Sequence, residues 1–450
     1  MRIVLISPKG PLYRHRGGIF KKSLRYAPLT LVTLSALVPD DIQADIQLVD
    51  EGIQDVPLDL EADLIGMTVI TGSAPRAYEL ADHFRARGIP VVLGGPHVTL
   101  VPDDAAPHAD ALVVGYAEDT WPALLRDFAA GRMAPRYQQA PDFELSERNL
   151  RFPRREMHHK KSYITTAVVE ATRGCIHDCD FCVVPSAWGR KPYQKPIEHV
   201  VEDVRRTRAK HVIFIDLNLI ADPDHAKQLF EALIPLKVHW YGLSTTRITK
   251  DRELLDLTER SGCRGLLLGF ETLSPANLRS SKKGFNDPDD YKGIVRELHA
   301  RNVSINGTFV LGLDQDDPSV FQRTAEFVID AAIDLPRFAV ATPFPGTTLF
   351  KRLEAEGRIL TRDWNLYDGQ HVVFQPARMS PAELLEGHTS VWQTVYSRRN
   401  IARRIAGSRV QIPLSVAANW GYRFYAHNLH RYYTCDWYVG SEGRAEREAA

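Results

Sequence analysis

The interpretation of this chain rests on Glu170-Ala171-Thr172-Arg173-Gly174-Cys175-Ile176-His177-Asp178-Cys179-Asp180-Phe181-Cys182. This segment follows an apolar run, so we expect a loop that leaves a buried strand. Its three cysteines have the spacing C-x3-C-x2-C. A closed zinc site or an electron-transfer [4Fe-4S] cluster normally uses four protein ligands, so a cube bound here would keep one iron open to a substrate or cofactor.

The same cysteines also allow a zinc site. His177, Cys263 or Cys435 could complete structural zinc, and spacing alone leaves this alternative open. Three clustered and two isolated cysteines do not resemble the spread, even-numbered set of a secreted disulfide framework. The cysteine pattern therefore predicts a reducing compartment, the cytoplasm.

Composition excludes several functional classes. The 450 residues include 56 Lys plus Arg and 56 Asp plus Glu, so the formal net charge is zero. Without a global positive field, the chain has no electrostatic attraction to nucleic acid, and a small-molecule substrate is predicted. No run approaches the roughly 18 apolar residues of a membrane span, so no integral membrane segment is predicted. Peripheral membrane contact through the C-terminal region stays open.

The chain is long enough for two or three domains. In residues 1–135, short β-branched runs alternate with helical patterns, which is typical of a doubly wound parallel sheet covered on both faces. The predicted helices lie near 28–38, 74–87 and 118–129, and the predicted strands are Ile3 to Ile6, Ile46 to Val49, Leu64 to Val69, Val91 to Leu93 and Ala111 to Val114.

Residues 136–160 are polar, basic and aperiodic, which predicts a linker. A second alternating series over 161–348 predicts a partial (β/α)6 barrel with its chemistry at the carboxyl ends of the strands. Residues 349–450 are predicted to be mostly helical, with helices near 347–357, 381–404 and 414–432. The predicted barrel strands are Tyr163 to Glu170, His211 to Asp216, Trp240 to Ser244, Gly265 to Gly269, Ser304 to Val310 and Phe338 to Thr342.

Cys175, Cys179, Phe181 and Cys182 match a C-x3-C-x-aromatic-C motif, so the segment resembles the radical S-adenosylmethionine superfamily. The resemblance implies that the cysteines hold three irons of a [4Fe-4S] cluster while the fourth iron chelates S-adenosylmethionine. It implies that an electron, from a flavodoxin- or ferredoxin-type donor, splits the sulfonium into methionine and a 5′-deoxyadenosyl radical. A barrel interior capped by another domain would keep such a radical from water.

Other predicted strand ends resemble the superfamily across about residues 163–350. Gly269-Phe270-Glu271 resembles its G-F-E segment, where Glu271 would accept hydrogen bonds from S-adenosylmethionine; a helix-start glutamate is the alternative. The remaining implied contacts are Asp216 and Asn218 in a D-x-N stretch, Ser244 and Arg247 at the methionine carboxylate, and Gly307 in the adenine-binding strand.

The N-terminal region resembles the B12-binding domain that precedes many radical S-adenosylmethionine barrels. Glycines after a parallel strand let a large ligand approach the backbone, although a simple doubly wound domain would have similar glycines. The strict cobalt-ligating D-x-H-x-x-G motif is absent: His15 and Gly18 keep its spacing, but Tyr13 replaces the Asp. The residues implied to contact cobalamin are Thr68, Thr71, Ser73, Gly94, Gly95, Pro96, Gly115 and Glu118.

Three functions are therefore weighed. The leading hypothesis is a cobalamin-dependent radical enzyme that methylates carbon in a small-molecule substrate. The second keeps the radical chemistry but ends in cyclisation, ring rearrangement or oxidation, as in relatives of the anaerobic magnesium-protoporphyrin ester cyclase. The third is a zinc-stabilised binding protein without catalysis.

The substrate is not encoded in a recognisable motif. The C-terminal region is rich in aromatic residues, which could cap a flat hydrophobic substrate or form the core of a helical domain. These residues are Trp392, Tyr396, Trp420, Tyr422, Phe424, Tyr425, Tyr432, Tyr433 and Trp437.

Overall fold

The computed structural model describes residues 1–10 and 26–429. The motif around His15 and the aromatic residues Tyr432, Tyr433 and Trp437 lie outside the described residues, as does Cys435. Within the described ranges, two six-stranded parallel sheets carry the fold, together with a two-stranded antiparallel ribbon. These sheets and a helical C-terminal region confirm the predicted fold class.

The first sheet has the spatial order β2-β1-β3-β4-β5-β6. The helices α2 and α3 pack on one face of it and α1 and α5 on the other, because the strands are apolar on both faces. The elements are β1 (Arg2–Ser7), α1 (Thr30–Ala36), β2 (Asp45–Asp50), β3 (Leu64–Thr68), α2 (Ala74–Ala86), β4 (Val91–Gly94), α3 (Pro96–Leu100), α4 (Pro102–Ala105), β5 (Ala111–Val114), α5 (Thr120–Ala129) and β6 (Arg136–Gln138).

Strand β6 corrects the predicted linker, which was expected to begin at residue 136. Arg136 pairs with Leu112 and Gln138 with Val114, so this segment is the edge of the first sheet. Only Tyr137 within β6 is half-buried. A short edge strand needs no apolar run, and its sequence therefore carries little strand signal.

The second sheet has the order β14-β13-β12-β11-β10-β7 and curves into the partial barrel. Its elements and their neighbours are β7 (Val168–Val169), β8 (Thr172–Arg173), α6 (Val183–Trp188), β9 (Tyr193–Gln194), α7 (Ile197–Thr207), β10 (His211–Phe214), α8 (Pro223–Leu233), β11 (His239–Ser244), α9 (Arg252–Arg260), β12 (Cys263–Glu271), α10 (Pro275–Ser280), α11 (Tyr291–Ala300), β13 (Ser304–Leu311), α12 (Ser319–Asp330), β14 (Arg337–Val340) and α13 (Thr348–Ala355).

The first barrel strand is much shorter than predicted. Only Val168 and Val169 pair with β10, whereas a strand over 163–170 was expected. Thr172 and Arg173 instead form the antiparallel ribbon with β9. The chain therefore leaves the sheet before the cysteines and enters a loop that the ribbon supports.

The C-terminal region contains α14 (Pro381–Val395), α15 (Arg398–Ser408) and α16 (Ile412–Ala426). The predicted single helix over 381–404 is two helices, because the first ends at Val395 and Ser397 caps the second by accepting a hydrogen bond from the Asn400 amide. Trp392 and Tyr396 are fully buried against β14, as a core role predicts. No helix in the described ranges is both long and apolar enough to cross a bilayer.

Candidate functional site

The three clustered cysteines lie on the loop between β8 and α6, at the carboxyl end of the barrel sheet. Cys179 is buried, and Cys175 and Cys182 are half-buried. The Cys182 amide donates to the Cys179 carbonyl at 3.1 Å, and Cys182 directly precedes α6. The loop thus holds its thiols at the end of the barrel where enzymes with this kind of sheet carry their chemistry.

The pKa values of two of these thiols are shifted by their surroundings. Burial raises the pKa of the Cys179 thiol to about 12 and also raises that of Cys182, while the Lys283 ammonium opposes both shifts. A bound metal deprotonates such thiols, because its charge replaces the hydration that burial removes. The donor set fits an iron-sulfur cube with one iron left without a protein ligand.

Asp216 and Asn218 follow β10 and meet the start of the cysteine loop. The Asp216 carboxylate accepts hydrogen bonds from the Ala171 amide at 3.0 Å and the Thr172 amide at 2.5 Å. Burial raises the pKa of Asp216 to about 7, and the charge of Glu170 adds to this shift. The Asn218 amide nitrogen lies 3.6 Å from the Cys175 sulfur. Both residues therefore position the loop.

Glu271, at the end of β12, forms a buried ion pair with Lys283. Its φ of 65° is unusual for a residue with a side chain, so its backbone is held by its surroundings. A Cβ on Gly269 would lie 2.2 Å from the Glu271 carboxylate and 2.7 Å from the Lys283 nitrogen. Gly269 is needed because the ion pair occupies its side-chain space.

The other sequence-predicted contacts fall in different places. Phe181 packs against the barrel core, and Ser244 is buried at the end of β11. Arg247 is exposed but near enough to His177 to lower its pKa, after the larger effect of burial. Gly307 points away from the barrel interior, since a Cβ there would meet Ile333 and Phe270. The missing side chain of Gly307 therefore serves packing, and its contact with adenine stays a prediction.

The zinc alternative has no support in this geometry. In residues 1–10 and 26–429, no group of three or more His, Cys, Asp or Glu side chains could hold a single metal ion. Cys263 begins β12, at the opposite end of the barrel sheet from the cysteine loop, and it is fully buried. His177 stacks on Phe285 with 3.9 Å between ring centroids.

A cavity of about 320 Å³ lies between the carboxyl edge of the first sheet and the cysteine loop. The barrel contributes Glu170, Thr172 and Arg173 to its lining. From the predicted cobalamin contacts, the first sheet contributes Thr68, Gly94, Gly95, Pro96, Gly115 and Glu118. The carboxyl edge of the first sheet and the segment that leads into the cysteine loop thus face one space.

Thr71 and Ser73, also predicted to contact cobalamin, do not line this cavity. They belong to a buried turn over Thr71–Ser73. Thr71 lies 3.3 Å from His97, and Ser73 donates to the Ile70 carbonyl at 3.1 Å. The Ser73 hydroxyl thus closes the local turn, and the Thr71 hydroxyl contacts α3 through His97.

An ion-pair network joins the two domains at the cavity. Arg173 contacts Glu118 of the first domain at 2.6 Å and Glu170 of the barrel at 2.7 Å. Lys195 adds a second cation 3.0 Å from Glu170. Burial alone would raise the pKa of Glu170, but Arg173 and Lys195 outweigh it and hold the pKa at about 2. Glu170 therefore stays ionised.

Aromatic rings extend this network. Tyr116 stacks on Trp188 with 5.4 Å between ring centroids, and the Arg173 guanidinium lies 4.9 Å from the Tyr116 centroid. Glu118 Oε2 and Trp188 Nε1 are buried without a hydrogen-bond partner in the described residues. Because both side chains line the cavity, polar groups of a cofactor could satisfy them. The cavity therefore offers one acceptor and one donor to a cofactor with amide groups.

Among the described residues, no histidine lines this cavity. His15 lies outside the described residues. The structure also adds residues that the sequence did not single out: Lys283, Glu170, Trp188 and Tyr116. A further addition is Asn306, whose Oδ1 is buried without a partner in the described residues. Glu170 and Tyr116 stand near predicted strand ends, whereas Lys283, Trp188 and Asn306 carried no such signal.

Comparison with known families agrees with this division of the chain. Residues 27–125 match the B12 binding domain, and residues 169–328 match the Radical SAM superfamily. Residues 347–440 match a domain of unknown function, DUF4070.

Two enzymes of Chlorobaculum tepidum are similar over most of the chain. Bacteriochlorophyllide d C-12(1)-methyltransferase is 31% identical over 398 residues, 84% of this chain and 85% of that protein. Bacteriochlorophyllide d C-8(2)-methyltransferase is 30% identical over 406 residues, 83% of this chain and 88% of that protein.

A solved structure shares the fold. The radical S-adenosylmethionine methyltransferase TsrM from Kitasatospora setae, with cobalamin and a [4Fe-4S] cluster bound, has a TM-score of 0.64. The match covers 86% of this chain and 81% of that chain at 17% identity.

Proposed function

We propose, from the premise that this chain belongs to the radical S-adenosylmethionine superfamily and carries a B12-binding domain, that it methylates carbon in a large, apolar, ring-containing substrate. The chain is a radical S-adenosylmethionine enzyme, and its cofactors are a [4Fe-4S] cluster, S-adenosylmethionine and cobalamin. Its family membership overturns the zinc-stabilised, non-catalytic alternative. The specific reaction and the residue roles below are our proposal.

We assign the cluster to Cys175, Cys179 and Cys182, and the amino-acid end of S-adenosylmethionine to the neighbouring strand ends. When bound, the cluster and S-adenosylmethionine supply a 5′-deoxyadenosyl radical and cobalamin supplies a methyl group. The residues for S-adenosylmethionine are Asp216, Asn218, Ser244, Arg247, Gly269 and Glu271. Cobalamin would be held by Thr68, Gly94, Gly95, Pro96, Gly115 and Glu118, which line the shared cavity.

The shared cavity is the observation that carries this proposal. Arg173 and Thr172, directly before the cysteines, line the same space as the glycines of the first sheet. A methyl donor held there would lie next to the segment that leads into the cysteine loop. Cyclisation or oxidation does not require that adjacency, and methylation therefore has the stronger support.

The barrel interior supports an apolar substrate. Alternate residues of β10 to β14 are half-buried while their neighbours pack fully against the helices, so the half-buried set faces the interior. These interior-facing side chains include Ile213, Leu243, Leu267, Val310 and Ala339. The same set also includes the polar residues Ser304, Thr308 and Asn306, and the Asn306 Oδ1 has no hydrogen-bond partner in the described residues. Since the two similar enzymes act on bacteriochlorophyllide d, we propose a chlorin-like ring system as the substrate class.

The test uses the full chain, purified anaerobically and loaded with iron, sulfide and cobalamin. S-adenosylmethionine carrying a deuterated methyl group is supplied with a chlorin and a chemical reductant. We expect 5′-deoxyadenosine and a chlorin product that carries the labelled methyl. Formation of 5′-deoxyadenosine with an altered but unlabelled chlorin would favour cyclisation or oxidation instead. Label transfer to an apolar polycyclic compound but to no chlorin would retain methylation and overturn the substrate class.

We further propose a flavodoxin- or ferredoxin-type electron donor and a reducing, cytoplasmic setting. The support is the cluster itself, which must be reduced and whose thiols must stay free of disulfides. Replacing the chemical reductant with reduced flavodoxin should sustain 5′-deoxyadenosine formation. Failure with both flavodoxin and ferredoxin, while the chemical reductant works, would count against this donor class.

A further inference from the structure

Helices α15 and α16 expose an apolar surface, here called the α15–α16 face. Its lining comprises Arg398, Ile401, Ala402, Ile405, Ala406, Arg409, Ile412, Val416 and Trp420. The exposed fractions are 47% for Ile412, 49% for Val416 and 62% for Trp420. Because these three residues are four positions apart, they form one stripe along α16.

Helix α16 buries polar residues and exposes apolar ones, which is the reverse of a usual surface helix. Its polar residues Ser415 and Asn419 are buried, whereas the apolar stripe faces outward. The buried Arg404 donates to the Asn419 side chain at 2.8 Å and to the Ile333 and Asp334 carbonyls at 2.9 and 2.8 Å. These hydrogen bonds specify which side of α16 faces inward. The outward apolar stripe is therefore built into the packing and is not a frayed end.

The charge of this region is one-sided. No Asp, Glu or Lys occurs between Glu386 and residue 430, although the whole chain has a net charge of zero. Arg403 contacts Asp330 at 3.4 Å, but Arg398, Arg399 and Arg409 are exposed and meet no carboxylate in the described residues. Arg398 and Arg409 line the same surface as the apolar stripe.

We propose that the α15–α16 face binds the surface of an anionic lipid bilayer. An apolar stripe with tryptophan, edged by arginines, matches the composition of helices that lie in the bilayer interface. The arginines complement anionic headgroups, and the absence of carboxylates removes the repulsion those headgroups would meet.

Docking in this orientation leaves the cysteine loop accessible. Gln411, at the turn before α16, donates to the Arg264 carbonyl at 2.5 Å and to the Asn302 carbonyl at 3.2 Å. Those carbonyls lie at the amino ends of β12 and β13, opposite the cysteines. A bilayer on this face would contact the base of the barrel and not its cofactor end.

The test measures cosedimentation of the full, cluster-loaded chain with vesicles. We expect binding to phosphatidylglycerol vesicles that weakens with salt, and little binding to phosphatidylcholine vesicles. The double variant Arg398→Gln/Arg409→Gln should bind phosphatidylglycerol vesicles roughly fivefold more weakly for each arginine removed. Ile412→Ser/Trp420→Ser should weaken binding to a similar or greater extent.

Matched controls replace exposed residues elsewhere: Ile164→Ser, whose side chain is 64% exposed, and Arg296→Gln on α11. Both should bind like the unaltered chain, and iron content and circular dichroism should show that every variant is folded. Equal binding to both vesicle types, or no binding, would overturn the proposal. Dimerisation without vesicles that the face variants abolish would overturn it in favour of a protein partner.

Discussion

The cysteine loop and the carboxyl edge of the first sheet offer their proposed cofactors different kinds of support. The loop offers side chains: three thiols, with Asp216 accepting from the Ala171 amide before them and Asn218 donating to the Cys175 sulfur. The sheet edge uses missing side chains, since Gly94, Gly95 and Gly115 leave the space. A ligand held by bonds depends on residue identity, whereas a ligand held by shape depends on backbone conformation and packing.

One contact joins the two regions. Arg173 precedes Cys175 by two residues and reaches across to Glu118 of the first domain. Substitutions can therefore distinguish two effects: the loss of one region's own cofactor, and the loss of the Arg173 contact that joins the two regions. Four substitutions test this division, and they follow in order of decreasing expected effect.

The largest effect should come from Cys175→Ala. Two thiolates are too few to retain the cube, so we expect loss of cluster iron and of all 5′-deoxyadenosine formation. Cobalamin binding should remain, because the first sheet is unchanged. Iron and sulfide analysis together with the corrin absorbance measures both. Cys263→Ala is the matched control and should keep its cluster; normal iron content in Cys175→Ala would contradict the assignment.

Arg173→Met should break the connection between the two regions. It leaves the Glu118 carboxylate buried without its cation and Glu170 with Lys195 alone, which should cost about 3–5 kcal/mol in the free energy of unfolding. Chemical denaturation measures this cost. Arg126→Met removes the exposed ion pair with Asp41 and should cost less than about 1 kcal/mol. Equal costs for the two variants would show that the Arg173 network is not a buried connection.

Gly95→Ala should damage only the sheet edge. Gly95 has a φ of 108°, and a Cβ there would lie 2.8 Å from the Val69 backbone. We expect a stability loss of about 1–3 kcal/mol and weaker cobalamin binding, with normal cluster content. Gly88→Ala is the matched control. Gly88 also has a positive φ, 79°, but a Cβ added there would point into open space. Cobalamin binding that is equally normal in both variants would contradict a shape-based site.

Thr68→Val should have the smallest effect. Its side chain lines the cavity, and losing one neutral hydrogen bond should weaken cobalamin binding by about 0.5–1.5 kcal/mol. Thr71→Val should leave cobalamin affinity unchanged, because Thr71 lies in the buried turn beside His97. Titration of each variant with cobalamin measures the difference. A larger loss of affinity for Thr71→Val would reverse the positions assigned to these two threonines.

Several site residues could be predicted because strands end at a common edge. Asp216, Asn218 and Glu271 were found in this way, since parallel strands bring their carboxyl ends together. Thr71 and Ser73, predicted by the same rule, do not line the cavity, because the chain turns directly after β3 and buries both residues. Lys283 was missed because it lies on a loop after α10, far from any predicted strand end.

The sequence alone was enough for the fold class and for the radical source, because the first depends on alternating patterns along the chain and the second on the spacing of three cysteines. That the glycine-lined edge and the segment before the cysteines share one cavity, and that Arg173 joins the two regions, emerged from the folded structure. The folded structure also decided that α16 turns its apolar side outward, since Arg404 satisfies the polar side from a different helix. Contacts between distant segments are set by packing, and a local pattern carries no record of which surfaces meet.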